Sequence, residues 1–260
     1  MSITRYTPQL VQGFKLPVLN AGAFARVAAP WLVLAVAAGL MAQSAPQASF
    51  LLAAVAVGGF GFFWQRHVAA DQAEKLSLLA TLVRLALWVV AYQSLQGFEL
   101  VAEILMRSLL ASQENMEVLV KAGRQIFQIL IGGLFLMLPH LAMATKAEIM
   151  GTRLQEMVLA AGVAVGFGYV LGYLPFMVAA DMARDAFAQY APGATLAAAL
   201  TDRLIHFLSV AVAAGYFALV WSDLRTTAPS PTGAVKTPEA PAEPRERRTT
   251  RITRTSKARR

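Results

Sequence analysis

The 260-residue sequence contains no cysteine and only three histidines. Without cysteine the chain forms no disulfide bond and offers no thiolate to an iron–sulfur cluster, a zinc site or nucleophilic catalysis. Charged side chains are also scarce, at 15% of the sequence, against about 25% in an average soluble domain. Together these shortages argue against a soluble enzyme.

Apolar residues account for 57% of the chain, and the mean hydropathy is +0.53. They occur in blocks of about 18 residues or more with almost no charge, which is typical of membrane-spanning helices. Backbone groups in lipid must be satisfied within their own segment, so the blocks are expected to be helical. The sequence predicts an all-α, polytopic transmembrane helix bundle. Its six spans are expected at about 24–43, 49–64, 77–95, 126–145, 157–180 and 204–221.

Three regions follow from this division of the chain. Residues 1–23 are predicted to be a cytoplasmic N-terminal segment, residues 24–225 the six-span domain, and residues 226–260 a basic tail. The tail holds nine Lys/Arg against three Glu and no aromatic residue. It cannot bury enough apolar surface to offset its ordering entropy, so we expect it to be disordered.

The distribution of Lys and Arg predicts the orientation in the membrane. Loops on alternate sides hold seventeen and five basic residues, with Arg84 inside a span. Basic residues accumulate on the cytoplasmic side, so both termini are expected in the cytoplasm. The richness in arginine and alanine suggests a GC-rich bacterial genome and hence a bacterial inner membrane. Trp64, near the end of the second span, is expected to anchor that helix at the interface.

The first span could be mistaken for a secretory signal, because the residues that follow it, around Ala45, resemble a cleavage site. However, a polar lead of more than twenty residues precedes the span, which is long for a signal peptide. We expect an uncleaved first helix, with cleavage near Ala45 as the alternative.

Two ionisable residues inside the spans are the candidate functional side chains, since buried charge in a membrane is costly. Arg84 is interpreted as snorkelling to the headgroups, with a substrate or anionic-lipid contact, or a polar partner inside the bundle, as alternatives. His140 follows Pro139, which is expected to kink the fourth span. We expect His140 to satisfy a carbonyl freed by that kink, and a proton relay or metal ligand is the alternative.

Glycines in the fifth span predict tight helix packing. They lie four residues apart in two pairs, Gly162 with Gly166 and Gly168 with Gly172, and this spacing lets helix backbones approach closely. The span is expected to cross the sixth at Ala211 and Gly215. In the alternative interpretation, a broken, glycine-rich helix that ends at Pro175 lines a substrate path.

Two further segments are amphipathic without being long enough to span. Residues 98–110 place Glu99, Glu103 and Arg107 at a spacing of four residues, with apolar residues between them. This pattern suits a helix at the outer interface or packed on the bundle. Residues 146–157 form a shorter candidate. Both are interpreted as packed connectors, and lipid sensing is the alternative.

Motifs for catalysis and cofactors are lacking. The sequence has no HExxH, no GxSxG and no paired carboxylates within a span. The acids Asp181 and Asp185 are interpreted as a solvated helix end. A bis-histidine haem site needs two imidazoles at one membrane depth. His206 is expected on the outer side and cannot face His140. His67 is on the same side as His140, so that pair is conceivable, but His67 is expected in the interface and haem is disfavoured. We therefore expect no catalytic residue, no metal and no cofactor.

Basic residues near the ends of the spans point to membrane lipids, including anionic ones, as partners. A second copy of the chain or another membrane protein is the further expected partner. Nucleic acid is disfavoured because no aromatic residue lies between the arginines of the tail. The arginines expected to contact anionic lipid are Arg66, Arg245, Arg247, Arg248, Arg251, Arg254, Arg259 and Arg260.

The end of the second span carries a short motif, Phe63-Trp64-Gln65-Arg66-His67. It resembles the Trp-His-Arg signature of uncharacterised alphaproteobacterial multi-pass membrane proteins that are loosely similar to YciC-type proteins. In that group the motif also closes a transmembrane helix. This sequence keeps the tryptophan and the arginine, and it has glutamine in place of the histidine. The resemblance implies a six-span plan and no particular activity.

Three functions remain as hypotheses. The low polar content of the spans favours a non-enzymatic protein that acts as a scaffold or through partners and lipids. The alternative is a transporter of a small solute or lipid, with a cavity around spans three to five. The third is a membrane haem protein or enzyme.

Overall fold

The computed structural model describes residues 5–41, 44–113 and 115–227, and every regular element in these ranges is helical. The helices are α1 (Thr7–Leu19), α2 (Ala21–Met41), α3 (Pro46–Val68), α4 (Leu78–Leu109), α5 (Met116–Ile131), α6 (Met137–Met143), α7 (Lys146–Ile149), α8 (Arg153–Tyr190) and α9 (Thr195–Thr227). A 3-10 turn, Gly132–Leu136, joins α5 to α6. The predicted tail from residue 228 onward, with its seven arginines, lies outside the described residues.

Within the described ranges, six helical segments are long and apolar enough to cross a membrane: Ala21–Met41, Pro46–Val68, Leu78–Leu109, Met116–Met143, Arg153–Tyr190 and Leu196–Thr227. The all-α, multi-pass architecture expected from the sequence is thereby confirmed.

Consecutive spans run in opposite directions, so their connections gather at two ends. We name the end with the α2–α3, α4–α5 and α8–α9 connections the hairpin end. We name the other the C-terminal end, where the connections that follow α3 and α6 meet the last turn of α9. There Arg225 of α9 donates to the Gln72 carbonyl (2.9 Å) and contacts Glu148.

The N-terminal segment contains a helix that packs on the bundle, and its location in the cytoplasm stays a prediction. Residues Thr7–Leu19 form α1, which packs on the middle of α9: a Cβ built on Gly13 would lie 3.1 Å from the Val212 carbonyl oxygen. Gly215, expected to meet the fifth span, instead faces Leu16 of this helix. Sequence reasoning missed this contact because α1 is too short to read as a span.

Three helices are longer than the apolar blocks that predicted them. α4 continues from the third span through the amphipathic residues 98–109, so that segment is not a separate interfacial helix. α5 starts at Met116, ahead of the predicted fourth span. α8 passes through Pro175 and ends at Tyr190, so the proline does not end it. These extensions build two long helical hairpins at the hairpin end.

The core is aromatic and contains all but one of the tryptophans. Trp64, Trp88 and Trp221 are almost fully buried. Trp64 donates its indole N–H to the Ala211 carbonyl at 2.9 Å. It therefore ties α3 to α9 inside the bundle, and the expectation that it anchors the helix at the interface is wrong. The hydrogen bond explains the position, because a buried indole N–H needs an acceptor.

Candidate functional site

A cavity lies in the centre of the bundle, between α3, α4, α5, α8 and α9. It measures about 50 Å³, and one water occupies about 10–15 Å³ on this measure, so the cavity holds about three to five waters. Aromatic and aliphatic side chains form much of its wall. Its polar lining consists of Gln65, Tyr92, Gln96, Glu99, Arg124, Tyr169, Tyr173, His206 and Ser209. Polar side chains from five helices thus converge on one place.

One face of α4 supplies much of this lining. Trp88, Tyr92, Gln96 and Glu99 follow one another at intervals of four, four and three residues. That spacing puts them on the same side of a helix, since side chains three and four residues apart are neighbours. The opposite face of α4 is apolar and exposed, including Leu87 and Val90. The helix is therefore amphipathic, with its polar face turned into the bundle.

The charged groups of the cavity lie toward the hairpin end. Glu99 is 3% exposed. Its Oε2 accepts hydrogen bonds from Gln128 Nε2 at 2.8 Å and from Arg124 Nη2 at 3.4 Å. Its Oε1 is buried and has no partner. Arg124 makes one further bond, to Glu103 at 3.5 Å. Both bonds of Arg124 are long, so each member of the pair keeps hydrogen-bonding capacity in reserve.

The floor of the cavity lies toward the C-terminal end. Trp88 Nε1 donates to Gln65 Oε1 at 2.8 Å. Gln65 is fully buried, and its Nε2 has no partner. Trp88 is eleven residues from Glu99, or about 16 Å along the helix at 1.5 Å per residue. The floor therefore has a free hydrogen-bond donor, Gln65 Nε2, and the charged end has a free acceptor, Glu99 Oε1.

Aromatic rings line the cavity between these two ends. Trp88 stacks on Tyr92, with ring centroids 5.4 Å apart, and Tyr169 stacks on Tyr173 at 5.9 Å. The ring centroid of Phe135 lies 4.7 Å from that of Tyr169, so the two rings pack together. Tyrosines suit such a wall because each combines an apolar ring with a hydroxyl that can hydrogen-bond.

The cavity continues toward the hairpin end. A second, wider depression of about 290 Å³ shares Tyr173, His206 and Ser209 with it. Its rim carries the charged residues Asp181, Arg184, Asp202 and Arg203. The exposed Asp181 pairs with Arg184 at 3.2 Å. A polar route thus leads from the surface of the α8–α9 hairpin to the central cavity.

Arg84 does not face this cavity. It is 9% exposed. It donates to the Ala144 carbonyl and to Glu74 Oε2, both at 2.6 Å. The side chain ends on protein groups, so the expectation that it snorkels to the headgroups is wrong. The acceptor in the α3–α4 connection and the carbonyl that ends α6 offer a nearer partner than lipid. Among the interpretations given above, the one with a polar partner inside the bundle describes this position.

His140 lies near Arg84 and also outside the cavity. It is 3% exposed, and its Nδ1 accepts a hydrogen bond from Trp221 Nε1 at 3.3 Å. Its Nε2 is buried without a partner, so the expected bond to a carbonyl freed by Pro139 is not seen. The irregularity beside the proline lies in the 3-10 turn Gly132–Leu136. Pro139 lacks the N–H that would bond the Phe135 carbonyl, and two glycines precede that residue.

The glycines of α8 lie at two separate contacts. Gly162 and Gly166 meet Gly133 and Gly132: a Cβ on Gly132 would lie 2.0 Å from the Gly166 Cα, and one on Gly133 would lie 2.6 Å from the Gly162 Cα. Gly168 faces the Tyr216 hydroxyl of α9, and Gly172 faces Leu10 of α1. The first contact is with the fourth span, whereas the sequence suggested the sixth.

Arginines close the C-terminal end of the bundle. Arg66 donates to the Ala142 carbonyl at 2.6 Å and to the Glu74 carbonyl at 2.7 Å. It is therefore occupied by protein groups, and a contact with anionic lipid would have to compete with them. Arg225 binds Glu148 through Nε at 2.8 Å and Nη2 at 3.0 Å.

Glu148 has a lowered pKa. Burial raises the pKa of this carboxyl group, but hydrogen bonds from Thr145 and the charge and hydrogen bonds of Arg225 outweigh burial and bring it below its usual 4.5. The carboxylate also completes a capping box with Thr145 at the start of α7. One acid thus fixes a helix start and the end of α9.

Metal-binding groups are not assembled in the part of the chain that the structure describes: no three His, Asp or Glu side chains come together in it. The three histidines lie in three different environments. His67 is exposed beside Trp64, His140 pairs with Trp221, and His206 lines the cavity.

Comparison with known proteins gives no match to a protein-family model, a curated protein or a solved structure. The similarity of the Trp64–Arg66 motif to YciC-type proteins therefore stays a prediction. What the structure defines is a multi-pass helical membrane protein with a polar, aromatic-lined cavity.

The alternative drawn from the sequence included a cavity around spans three to five, but it did not identify the residues of this lining, because each span was examined separately for charge. Glu99 was assigned to a separate amphipathic segment, and Gln65, Tyr92 and Tyr173 carry no charge at all. One signal was present: the polar and aromatic residues of α4 repeat every three to four positions from Arg84 to Arg107. A polar face that runs through a span indicates contact with a polar interior.

Proposed function

We propose that this protein is a permease-type carrier that admits a small polar solute from the hairpin end into its central cavity. The observation that carries the proposal is the convergence of nine polar side chains on one cavity, where Glu99 Oε1 and Gln65 Nε2 are buried without partners. Buried polar atoms without partners are costly, so their retention favours a ligand or waters that satisfy them.

The remaining properties belong to the same proposal. The distribution of Lys and Arg supports both termini in the cytoplasm, and the richness in arginine and alanine supports a bacterial inner membrane. The hairpin end then faces the periplasm, and the arginine-closed end faces the cytoplasm. A carrier moves its solute unchanged, and the proposed role is non-enzymatic.

The natural lack of cysteine makes a direct test straightforward. Ser209→Cys places a thiol on the cavity wall, whereas Leu208→Cys places one on the neighbouring exposed, apolar surface. The thiolate attacks the sulfenyl sulfur of a membrane-impermeant methanethiosulfonate reagent, forms a mixed disulfide and displaces methanesulfinate. The reaction needs an ionised thiol and therefore water at the site. We expect Ser209→Cys to react from the hairpin side and Leu208→Cys to stay unmodified. An unreactive Ser209→Cys would contradict a hydrated cavity.

Passage through the protein needs a second thiol, deeper in the cavity. Ala214 lines the cavity five residues further along α9 and is 4% exposed. A carrier opens to the two sides in turn, so Ala214→Cys should react in intact cells and also in inverted vesicles. Reaction from the hairpin side alone would reduce the role to solute binding without transport.

A scaffold that works through self-association is the second candidate, and the outer face of α4 supports it. Exposed apolar residues continue along this face from Leu79 to Leu109. The helix has 32 residues, or about 48 Å at 1.5 Å per residue, and is therefore longer than a hydrocarbon core, which is about 30 Å thick. Part of its apolar face thus lies outside the hydrocarbon core, where a second copy of the chain would cover it. Oxidative cross-linking of Leu105→Cys should then trap a dimer, and a purely monomeric product would argue against self-association along α4.

A further inference from the structure

We infer that the central cavity is built for a small zwitterion, a molecule with one ammonium and one carboxylate group, such as a short amino acid. This inference rests on the proposed carrier function and adds the chemical class of the solute. It starts from Glu99 and Arg124, which lie side by side in the cavity wall with opposite charges.

Both members of the pair have free hydrogen-bonding positions. Gln128 and Arg124 both donate to Oε2 of Glu99, which leaves the buried Oε1 as an acceptor. Arg124 uses Nη1 and Nη2 in bonds of 3.5 Å and 3.4 Å. A guanidinium group carries five N–H donors, so it retains several for a ligand. A solute ammonium satisfies Oε1, and a solute carboxylate takes the strong donors of Arg124.

The charges at this site disfavour simpler ions. Glu103 also contacts Arg124 but is itself paired with Arg107, so Glu99 and Arg124 are the two charged groups in the cavity wall. A lone cation would pair with Glu99 and face Arg124, and a lone anion would pair with Arg124 and face Glu99, so each meets one like charge. A zwitterion meets an opposite charge at both of its ends. Tyr169 and Tyr173 line the same cavity, and aromatic rings attract an ammonium group.

The size of the cavity limits the solute to a few heavy atoms. Three to five waters occupy about 90–150 Å³ in the liquid, at about 30 Å³ each. Alanine is within this range, whereas an amino acid with a large aromatic side chain would have to extend into the wider depression beside Tyr173. Trp88, the hydrogen-bond partner of Gln65, is about 16 Å from Glu99 along α4. The free Nε2 of Gln65 therefore serves a water or a later position of the solute.

The test compares three probes of similar size on the full-length protein in detergent. Alanine carries both charges, lactate replaces the ammonium group by a hydroxyl, and 2-amino-1-propanol replaces the carboxylate by an alcohol. Binding is measured as protection of Ser209→Cys against the methanethiosulfonate reagent. We expect alanine to protect at concentrations at least about tenfold lower than lactate or 2-amino-1-propanol, because each analogue loses a charge-assisted hydrogen bond.

Two variants test which side chain binds the ammonium group and which binds the carboxylate, and a third variant is the control. Glu99→Gln should abolish the preference for alanine over lactate, and Arg124→Gln should abolish the preference for alanine over 2-amino-1-propanol. Glu117→Gln removes an acid of the same hairpin that pairs with Arg107 on the surface, and it should leave both preferences unchanged.

The outcomes distinguish failure of the zwitterion proposal from failure of the hydrated cavity. Equal protection by the three probes, or no protection by any of them while Ser209→Cys remains reactive, would overturn the zwitterion and leave the hydrated cavity standing. Preferences that survive in both Glu99→Gln and Arg124→Gln would also overturn it. Failure of the carrier is seen separately, because Ser209→Cys is then unreactive without any probe.

Discussion

The indole N–H of Trp88 donates to Oε1 of Gln65 at 2.8 Å, and this bond joins α4 to α3 at the floor of the central cavity. Both side chains are almost completely buried. The residue before Gln65 is Trp64, and its indole N–H donates to the Ala211 carbonyl of α9. Two adjacent residues of α3 thus hold this helix to neighbours on either side and close the cavity below.

Loss of this bond should destabilise the protein. Trp88→Phe keeps an aromatic ring but removes the N–H, and it leaves the Gln65 side chain with no protein partner. We expect a loss of about 1–3 kcal/mol in the free energy of unfolding, the usual penalty for a buried polar group without a partner. The measurement is the unfolding transition in detergent. Trp31→Phe is the matched control, because Trp31 packs by stacking on Phe63, and an equal loss there would assign the effect to ring size alone.

The contact between the fourth and fifth spans should tolerate no side chain. Gly132→Ala would place a Cβ 2.0 Å from the Gly166 Cα, where only backbone movement can relieve the clash. We expect a loss of about 1–3 kcal/mol or more in stability. Gly97→Ala is the control, since Gly97 lies within α4 with open space around it, and there alanine should stabilise the helix by about 1 kcal/mol. A neutral Gly132→Ala would show that the spans separate easily.

Arg84 is expected to act through Glu74 and the Ala144 carbonyl rather than on the solute. Arg84→Leu leaves Glu74 without this ion pair. It should cost about 1–3 kcal/mol, less than the loss of a fully buried pair, because the Glu74 side chain is 31% exposed. The double variant Arg84→Leu, Glu74→Leu should be less destabilised than the sum of the single variants. Modification of Ser209→Cys should be unchanged in the Arg84→Leu background, and a slower reaction would place Arg84 on the solute route after all.

The contact between Glu148 and Arg225 should make stability depend on pH. The pKa of Glu148 is lowered in the folded protein, so its stabilising effect is complete above the ordinary value of 4.5 and disappears as the pH falls through the lower folded value. We expect the melting temperature of the natural protein to fall below about pH 4.5 more than that of Glu148→Gln. The control is Asp71→Asn, an exposed carboxylate at the same end of the bundle. Parallel pH profiles for the natural protein and Glu148→Gln would contradict this role.

Much of the architecture follows from the sequence because apolar length is a local property. A run of about 20 apolar residues must be helical in lipid whatever surrounds it, and six such helices are present. The ends of the helices were less predictable, since residues 98–109 of α4 pack on α5 through contacts between residues far apart in the sequence. Glu103 and Arg124, 21 residues apart, form one of these contacts, and no local pattern reveals it.

The candidate site was largely hidden from the sequence. Arg84 and His140 were singled out because they are ionisable residues in apolar blocks, yet both bind protein groups near the C-terminal end. Tyr92, Tyr169 and Gln65 are uncharged, so a search for ionisable residues in apolar blocks does not find them. Their shared cavity arises from the rotation of each helix about its axis, which the partners of that helix decide.

By itself, the sequence determined an all-helical chain with six spans, the absence of thiol chemistry, and the surplus of basic charge toward one side. These properties depend on composition and on the periodicity of single segments. Tertiary structure decided that α1 packs into the bundle, that Gly132 and Gly166 touch, and that Glu99 and Arg124 share a cavity wall. The physical reason is that burial and hydrogen bonding of these groups depend on residues tens of positions away, which only the packing of the helices brings together.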